Sequence, residues 1–497
     1  MEVSFKRSTL SFVAPVLSQV QNMEQSQDLR IPDGMPEAGR VLCCWGQCVL
    51  RTKQWQGSQI QLSAGISVTV AYLPEEGGTL QRLQCWIPFQ FRWDLPEDCS
   101  EGAFRVQCLP GNVDARLVSS GKLSVRARMS ALAEVWCPEV REVYSPEGDC
   151  GDAEYLQQEY PMQLPREVGE TTFALEDTLT LPSSAPSMER LIYGRMDPEI
   201  SDTRVLGDRL VFRGKGNLHI LYESSDGKLH RWDFEVPFSQ YASLRHEYSP
   251  EAGVSILPAV TIFEPELADG AVSFRAELTG QYLIHDRQMV RLTQDAYLPG
   301  QSVRIQKSTL DIPAILETRR ENIYGEQGIP MEGMDLVDSW INPEFPRLRA
   351  GESGTLVELP SSVQYLYSDP DGELHSGSSR IEGTMRYLVE SDAKLSSFLS
   401  GGMRPEILNN GGSMMAQVTM PAELILLSGQ GLPVVTGLEL PDNRVKDPDR
   451  PSLILRRADG TLWDLARDNG SRVSAIRQAN GLESEPVPGQ MLLIPVV

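Results

Sequence analysis

The sequence predicts a mainly β protein, with three β-sandwich-like repeats followed by a small βααβ domain. Alternation of apolar and polar residues, broken by Asp-Gly, Gly-Gly and Pro-Gly turns, fills most of the chain as far as residue 440. One hairpin pattern occurs three times, and long helical patterns are scarce before residue 440. Residues 452–497 instead combine two short helical patterns with two short apolar strands.

Length and composition are those of a soluble protein of several domains. The chain has 497 residues, of which 41% are hydrophobic and 23% charged. Its net charge of −23 disfavours nucleic acid and anionic bilayers as partners, because both would be repelled. No segment approaches the roughly 20 apolar residues of a membrane-spanning helix. We therefore expect a cytoplasmic protein with no transmembrane segment and no nucleic-acid partner.

The N-terminal segment superficially resembles a signal peptide, because Lys6 and Arg7 precede a short apolar stretch. Residues 5–12 also match the start of the two later repeats, so we expect them to form the first strand of the first repeat. All eight cysteines precede residue 151, which favours reduced thiols, because a secreted disulfide framework would serve every domain. The Cys-rich segment 43–48 lacks the C-x-x-C spacing of zinc ligands, and no metal site is predicted.

Three tyrosines mark the repeats. The segments LYESSDGKLH at 221–230 and LYSDPDGELH at 366–375 are identical at Leu, Tyr, Asp, Gly, Leu and His. An earlier copy, AYLPEEGGTLQ, is recognisable from residue 71. The spacing predicts repeats at 1–150, 165–300 and 301–440, with linkers at 150–168 and near 299–301. The marker residues are Tyr72, Tyr222 and Tyr367.

The second copy shows why these segments should form hairpins. Leu218, Ile220 and Tyr222 alternate with polar residues and predict one buried strand face. Gly227 permits the positive φ angle of a tight turn. The Val-Pro-Phe segment at 236–238 predicts an edge strand or the start of a strand, since proline donates no hydrogen bond to a central ladder.

No catalytic constellation accompanies the repeats. The sequence contains no H-E-x-x-H, G-x-S-x-G or phosphate-binding Gly-Lys-Ser/Thr motif. His230 and His375 occupy the same repeat position, which favours a place on the strand surface over shared chemistry. Residues 368–373 lack the final Glu of a calcium loop and predict a turn. The hypothesis that two carboxylates form a glycosidase-like acid/base pair stays open, but the sequence singles out no such pair. The prediction is a non-enzyme with no catalytic residue, cofactor or metal.

The repeats resemble the SPOCS domain, a unit of spore coat and related envelope proteins of endospore-forming bacteria. The likeness rests on the alternating strand, its tyrosine, the Asp-Gly turn and V-P-F-S-Q at 236–240. The second repeat is close to the family pattern, the first is recognisable, and the third is degenerate after His375. The resemblance implies a role in spore coat assembly.

The C-terminal segment 452–497 predicts a βααβ domain that follows a polar linker at 441–451. Thr461 and Asp464 form a T-x-x-D capping box at the start of the first helix. Ser471 is expected to cap the second helix. The remaining strand and termination signals are 453–455, Gly470, Asn480, Gly481, Pro488, Gly489 and 491–494.

This domain resembles a LysM domain, through T-L-W at 461–463, N-G-L at 480–482 and P-G-Q-x-L-x-I-P at 488–495. Members of that family commonly bind N-acetylglucosamine glycans in a shallow groove between the loop before helix one and the loop after helix two. The usual G-D-T order is replaced here, so ligand contact and a purely structural role for these residues both stay open. The residues predicted to line the groove are Asp459, Gly460, Thr461, Leu462, Asn480, Gly481 and Leu482.

SPOCS-like repeats followed by one LysM-like domain imply a non-enzymatic adaptor of spore coat assembly. By that resemblance it acts in the mother-cell cytoplasm at the forespore surface, and its LysM domain binds a coat-scaffold ATPase. A single shallow groove lacks the multivalency that usually compensates weak glycan binding. The alternative is a peptidoglycan-binding protein of the cell envelope, which would have to be exported. An enzyme with a glycan-targeting tail is a third hypothesis.

Overall fold

The computed structural model is mainly β, with 77% of residues in strands and 4% in helices, so the predicted fold class is confirmed at this level. The predicted linker 441–451 lies outside the described residues except for Pro451. The described residues are 5–97, 99–147, 152–268, 270–330, 334–351, 354–388, 394–410, 413–428, 431–439 and 451–496.

The first unit, residues 5–146, contains two antiparallel sheets. Its strands are β1 (Phe5–Arg30), β2 (Ala38–Gln56), β3 (Gln59–Pro74), β4 (Gln81–Asp94), β5 (Ala103–Ser119) and β6 (Lys122–Pro146). The sheet orders are β1-β6-β5 and β2-β3-β4. Their facing sides share one apolar core, because alternate residues of each strand point inward.

The second unit, residues 154–297, begins in a segment that the sequence assigned to a linker. Residues 154–168 belong to the first strand and pair with the last one, so that linker prediction is wrong beyond residue 153. The strands are β7 (Glu154–Thr180), β8 (Met188–Ser224), β9 (Leu229–Tyr248), β10 (Gly253–Ala268) and β11 (Ala271–Tyr297). The sheet orders are β10-β11-β7 and β8-β9.

The third unit, residues 304–439, is more fragmented. Its strands are β12 (Arg304–Leu310), β13 (Ile315–Ile329), β14 (Asp335–Pro343), β15 (Arg347–Gly351), β16 (Gly354–Ser368), β17 (Leu374–Tyr387), β18 (Lys394–Leu399), β19 (Arg404–Asn410), β20 (Ser413–Leu427) and β21 (Leu432–Glu439). The sheets are β12-β21, β13-β20-β18 with β19 also on β20, and β14-β16-β15 with β17 also on β16.

The marker tyrosines each lie on a strand beside a hairpin, and they share contacts in pairs. The hydroxyl of Tyr72 donates to the carbonyl of Pro36 at 2.8 Å, and that of Tyr222 donates to the carbonyl of Pro186 at 3.3 Å. Tyr222 pairs with His230 across its hairpin, and Tyr367 pairs with His375. In both pairs the ring centroids are 5.5 Å apart. These histidines therefore pack on tyrosine rings.

The units meet around three aromatic side chains, one from each. Trp45 lies 5.2 Å from Tyr193 and 5.2 Å from Trp340, measured between ring centroids. The indole N–H of Trp45 donates to the buried carboxylate of Asp338 at 3.3 Å. His219 joins this carboxylate at 3.0 Å, so groups from all three units share one buried cluster, which we call the central junction.

Glutamine side chains also tie the units together through backbone groups. Gln107 of the first unit bonds both the N–H and the carbonyl of Leu399 in the third. Gln281 of the second unit does the same with Val106 of the first. Each amide satisfies a donor and an acceptor of a strand in another unit. The units therefore pack against one another directly.

Two cysteines differ from the prediction that all thiols are reduced. Cys99 and Cys137 form a disulfide, and both lie against the core of the first unit. The sequence could not indicate this pair, because the two residues approach only when β6 packs beside the segment that follows β4. Five other cysteines in the described part of the chain remain free.

The C-terminal module has the predicted βααβ order. Its elements are β22 (Leu453–Arg457), α1 (Leu462–Asn469), α2 (Val473–Asn480) and β23 (Met491–Pro495). Gly470 and Gly481 end the helices in left-handed conformations, with φ of 64° and 62°. The prediction that Ser471 caps α2 is wrong: the cap position is Arg472, and Ser471 is buried with its hydroxyl donating to the carbonyl of Pro495. No described helix is long and apolar enough to cross a membrane.

Candidate functional site

The loop before α1 is held by the predicted capping box. The backbone N–H of Asp464 donates to the Thr461 hydroxyl at 3.1 Å, and that hydroxyl donates to the Asp464 carboxylate at 2.6 Å. The hydrogen bond from Thr461 keeps the pKa of Asp464 below its usual value. The loop is thus fixed at the helix terminus, with Asp459, Gly460 and Thr461 exposed.

The loop after α2 is fixed by Asn480. Its amide nitrogen donates to the carbonyls of Ile476 at 2.8 Å and Leu493 at 2.6 Å. Its amide oxygen accepts the N–H of Leu493 at 2.8 Å. The Asn480 side chain therefore joins α2 to β23 and is committed to the fold, although the sequence suggested it as a groove residue.

Glu485 joins the two loops to each other. Its carboxylate accepts the backbone N–H of Leu462, at the start of α1, at 2.7 Å. The other oxygen lies 3.8 Å from Arg477 of α2. A carboxylate at a helix N-terminus satisfies an N–H that has no partner within the helix. That N–H is consequently taken up by the chain itself.

The seven predicted groove residues differ in what they offer a partner. Leu462 was expected to contact a partner, but its side chain is fully buried with Leu465 and Ala466, because α1 turns its apolar side inward. Leu482 is half-buried against the same core. The exposed members are Asp459, Gly460, Thr461 and Gly481.

Two protein-family models match segments of this chain. A model of the SipL SPOCS domain matches residues 187–279, and a model of the LysM domain matches residues 456–495. The chain carries a SPOCS domain and a LysM domain. It resembles SipL in this combination, which indicates a sporulation-related protein with a module of the glycan-binding type. Neither a curated protein nor a solved structure gives a significant match.

The LysM domain is docked on the second unit through an aromatic pair. Tyr297, the last residue of β11, packs with the LysM core, and its ring meets Trp463 edge-on at 4.8 Å between centroids. The Tyr297 hydroxyl donates to the carbonyl of Ser471 at 3.0 Å. This contact explains why Ser471 and Trp463 are turned away from solvent.

Asp295 is the polar centre of this contact, which we call the LysM junction. One carboxylate oxygen accepts the Trp463 indole N–H and an Arg467 N–H, both at 3.0 Å, and the other lies 2.8 Å from the Lys307 ammonium. Burial alone would raise the pKa of Asp295, but the bonds from Lys307, Trp463 and Arg467 outweigh it and keep that pKa low. The carboxylate therefore stays ionised and links the second unit, the third unit and the LysM domain.

A second ion pair lies beside it. The Arg472 guanidinium is 2.6 Å from the carboxylate of Asp152 and 3.7 Å from that of Glu154, at the start of β7. None of these docking contacts was predicted, because residues in α1 and α2 meet residues more than 160 positions away. From the sequence, Trp463 was named only as part of the T-L-W motif, with ligand contact and a structural role both left open.

A cavity of about 130 Å³ lies where the three units meet. Cys48 and Cys108 line it with Arg195 and Met403. Burial raises the pKa of Cys108 to about 12, and burial likewise raises that of Cys48. Both thiols are therefore protonated at neutral pH and poor nucleophiles.

Proposed function

We propose that this protein is a non-enzymatic adaptor of spore coat assembly, built from three sandwich-like SPOCS-type repeats and one LysM domain. It acts in the mother-cell cytoplasm at the forespore surface, where the LysM domain binds a coat-scaffold protein. By resemblance to SipL, and in part to SpoVID, that partner is a scaffold ATPase. The observation that carries the proposal is the docked LysM domain, whose two loops are joined by Glu485.

The state of the LysM loops supports a protein partner. A sugar in the groove would need free backbone and amide groups, yet Glu485 takes up the N–H of Leu462 and Asn480 is committed to β23. An aromatic ring that could stack on a sugar is also missing from the groove, since Trp463 packs on Tyr297. Docking on the repeats positions the domain relative to the three units, which suits an adaptor.

The second candidate function is peptidoglycan binding. The LysM family itself favours it, as does the exposure of Asp459, Gly460 and Thr461 on one loop and Gly481 on the other. Displacement of the Glu485 carboxylate by a ligand would free the N–H of Leu462. This candidate requires the protein to reach the cell wall.

Parallel binding measurements test the two functions. The full-length chain is applied to purified peptidoglycan and to the purified coat-scaffold ATPase, and Glu485→Gln serves as the variant with weakened loop contact. An adaptor retains the ATPase and ignores peptidoglycan, with or without the substitution. Retention by peptidoglycan with no binding to the ATPase contradicts the adaptor and supports the second candidate.

Localisation during sporulation provides a second test. A tagged full-length chain should collect around the forespore, and a chain ending at residue 450 should stay dispersed in the mother cell. A wall-associated signal in both cases would contradict the cytoplasmic assignment. Glycan turnover by the purified chain would contradict its assignment as a non-enzyme.

A further inference from the structure

The LysM sheet has an outer face that is apolar and exposed. Along β22 and β23, alternate side chains point toward the helices, and these include the buried Leu492 and Ile494. The opposite set remains in solvent, and two of its members, Leu455 and Leu493, are direct cross-strand partners. The exposed fractions are 53% for Leu453, 61% for Leu455, 49% for Met491 and 40% for Leu493.

One arginine lies at the end of this face. Arg457 pairs with Met491 across the sheet and shares its side, whereas Arg456 pairs with the buried Leu492 and lies on the opposite side of the sheet. Both are exposed, and neither forms an ion pair with any residue that the structure describes. By contrast, the other LysM arginines are paired with carboxylates: Arg467, Arg472 and Arg477. The unpaired guanidinium of Arg457 thus offers the outer face one positive charge, to which an anionic group of a partner can bind.

Two other parts of the domain already make contacts within the chain. The side that carries Trp463 and Arg467 is docked on Asp295. The two loops are joined by Glu485. The outer face of the sheet differs from both, because it combines four exposed apolar side chains on one flat surface.

We propose that the outer face of β22 and β23 is the surface through which the LysM domain binds its protein partner. The partner presents an apolar segment to Leu453, Leu455, Met491 and Leu493, with a carboxylate placed against Arg457. This inference rests on the proposed adaptor function, and it moves the contact away from the groove loops. The four apolar side chains include no aromatic ring on which a sugar could stack. An anionic bilayer would meet the same arginine but be repelled by the rest of the chain.

The test uses the full-length chain and the purified coat-scaffold ATPase. The double substitution Leu455→Ser with Leu493→Thr removes apolar surface but keeps residues that a strand tolerates. We expect it to weaken ATPase binding at least tenfold. The matched control is Leu206→Ser, because Leu206 is also an exposed strand leucine, at 59%, but lies in the second unit. Thermal unfolding and limited proteolysis near residues 440–450 check that the LysM domain remains folded and docked.

Charge and loop variants separate this surface from the groove. Arg457→Glu should weaken binding several-fold, and the defect should shrink at high salt because the interaction is electrostatic. Asp459→Lys, on the loop before α1, should leave binding unchanged. Loss of binding in Asp459→Lys with full binding by the double variant would overturn the inference and leave the adaptor function standing.

The remaining outcomes also decide the question. If the wild-type chain does not bind the ATPase, the adaptor function fails and the inference fails with it. Sedimentation of the chain alone tests whether a second copy binds to the face. Sedimentation with anionic vesicles tests whether lipid binds there. Self-association or vesicle binding that the double variant abolishes, with ATPase binding intact, would assign the face to a second copy or to lipid and overturn the inference.

Discussion

The central junction and the LysM junction hold the same chain together in different ways. In the central junction, Trp45 is fully buried among aromatic rings of all three units, and the carboxylate beneath it is fully buried as well. The LysM junction consists of one aromatic pair around Asp295, whose partners Arg467 and Lys307 are 38% and 51% exposed. Water can replace the second set of contacts far more readily than the first. The comparison indicates that the three units form a stable body and that the LysM domain can detach from it.

Trp45→Ala should give the largest effect. It leaves a cavity between three units and removes the indole donor of Asp338, so we expect a loss of about 3–5 kcal/mol in the free energy of unfolding. Urea denaturation measures this loss. Trp463→Ala is the matched control in the LysM junction and should cost clearly less. Equal losses would remove the distinction between the two junctions.

His219→Gln should make the central junction less sensitive to pH. Burial alone would lower the pKa of His219, but Asp338 at 3.0 Å and Asp233 at 2.7 Å outweigh it and raise the pKa to about 9. A pKa raised on folding stabilises the protein fully below about 6.5 and loses its contribution as pH rises through about 9. Wild type should therefore lose stability between these values in thermal unfolding. A variant with the same slope would show that His219 is not the group that titrates.

Asp295→Asn should release the LysM domain without unfolding the body. The change removes the charge that holds Lys307 and Arg467, and we expect a cost of about 1–2 kcal/mol. Limited proteolysis should then cut near residues 440–450 faster than in wild type and leave a compact fragment that ends near residue 440. Wild type should behave similarly in acid, because the contribution of a carboxylate with a lowered pKa disappears as pH falls below about 3.8. Preferred cleavage inside residues 205–245 would contradict this division of the chain.

Tyr297→Phe should give the smallest effect. It keeps the ring against Trp463 and removes only the hydrogen bond to Ser471, which is worth about 1 kcal/mol. Hydrogen exchange should show faster opening of the LysM junction with no change at the central junction. An effect as large as that of Asp295→Asn would mean that the hydroxyl, and not the carboxylate, organises the docking.

The sequence predicted correctly those local features whose physical cause lies in neighbouring residues. Alternation of Leu218, Ile220 and Tyr222 gave the buried strand face, and Gly227 lies in its turn with φ of 78°. The capping box at Thr461 spans only one helical turn and is present. In each case the physical cause lies within a few residues, so a pattern in one sequence reveals it.

Errors arose where tertiary contacts override local signals. Ser471 is a good capping residue by propensity, but burial beneath Tyr297 turns its hydroxyl to β23. Residues 154–168 are acidic and contain two prolines, which hides the strand that pairs with β11. The docking of Trp463 on Asp295 joins residues 168 positions apart and has no local signature. The groove residues remain predictions, as do the repeat boundaries.

The position of Tyr297 at the end of β11 also determines how the chain would respond to mechanical load. β11 is the middle strand of its sheet and pairs with β7 from Ala271 opposite Thr180 to Tyr297 opposite Glu154. A pull applied to the LysM domain reaches the tip of this strand only through the contacts of Tyr297 and Asp295, whereas the many hydrogen bonds of the ladder to β7 would have to break together. The contacts around Asp295 are few and would part first. Tension would thus detach the LysM domain while the β units stay folded.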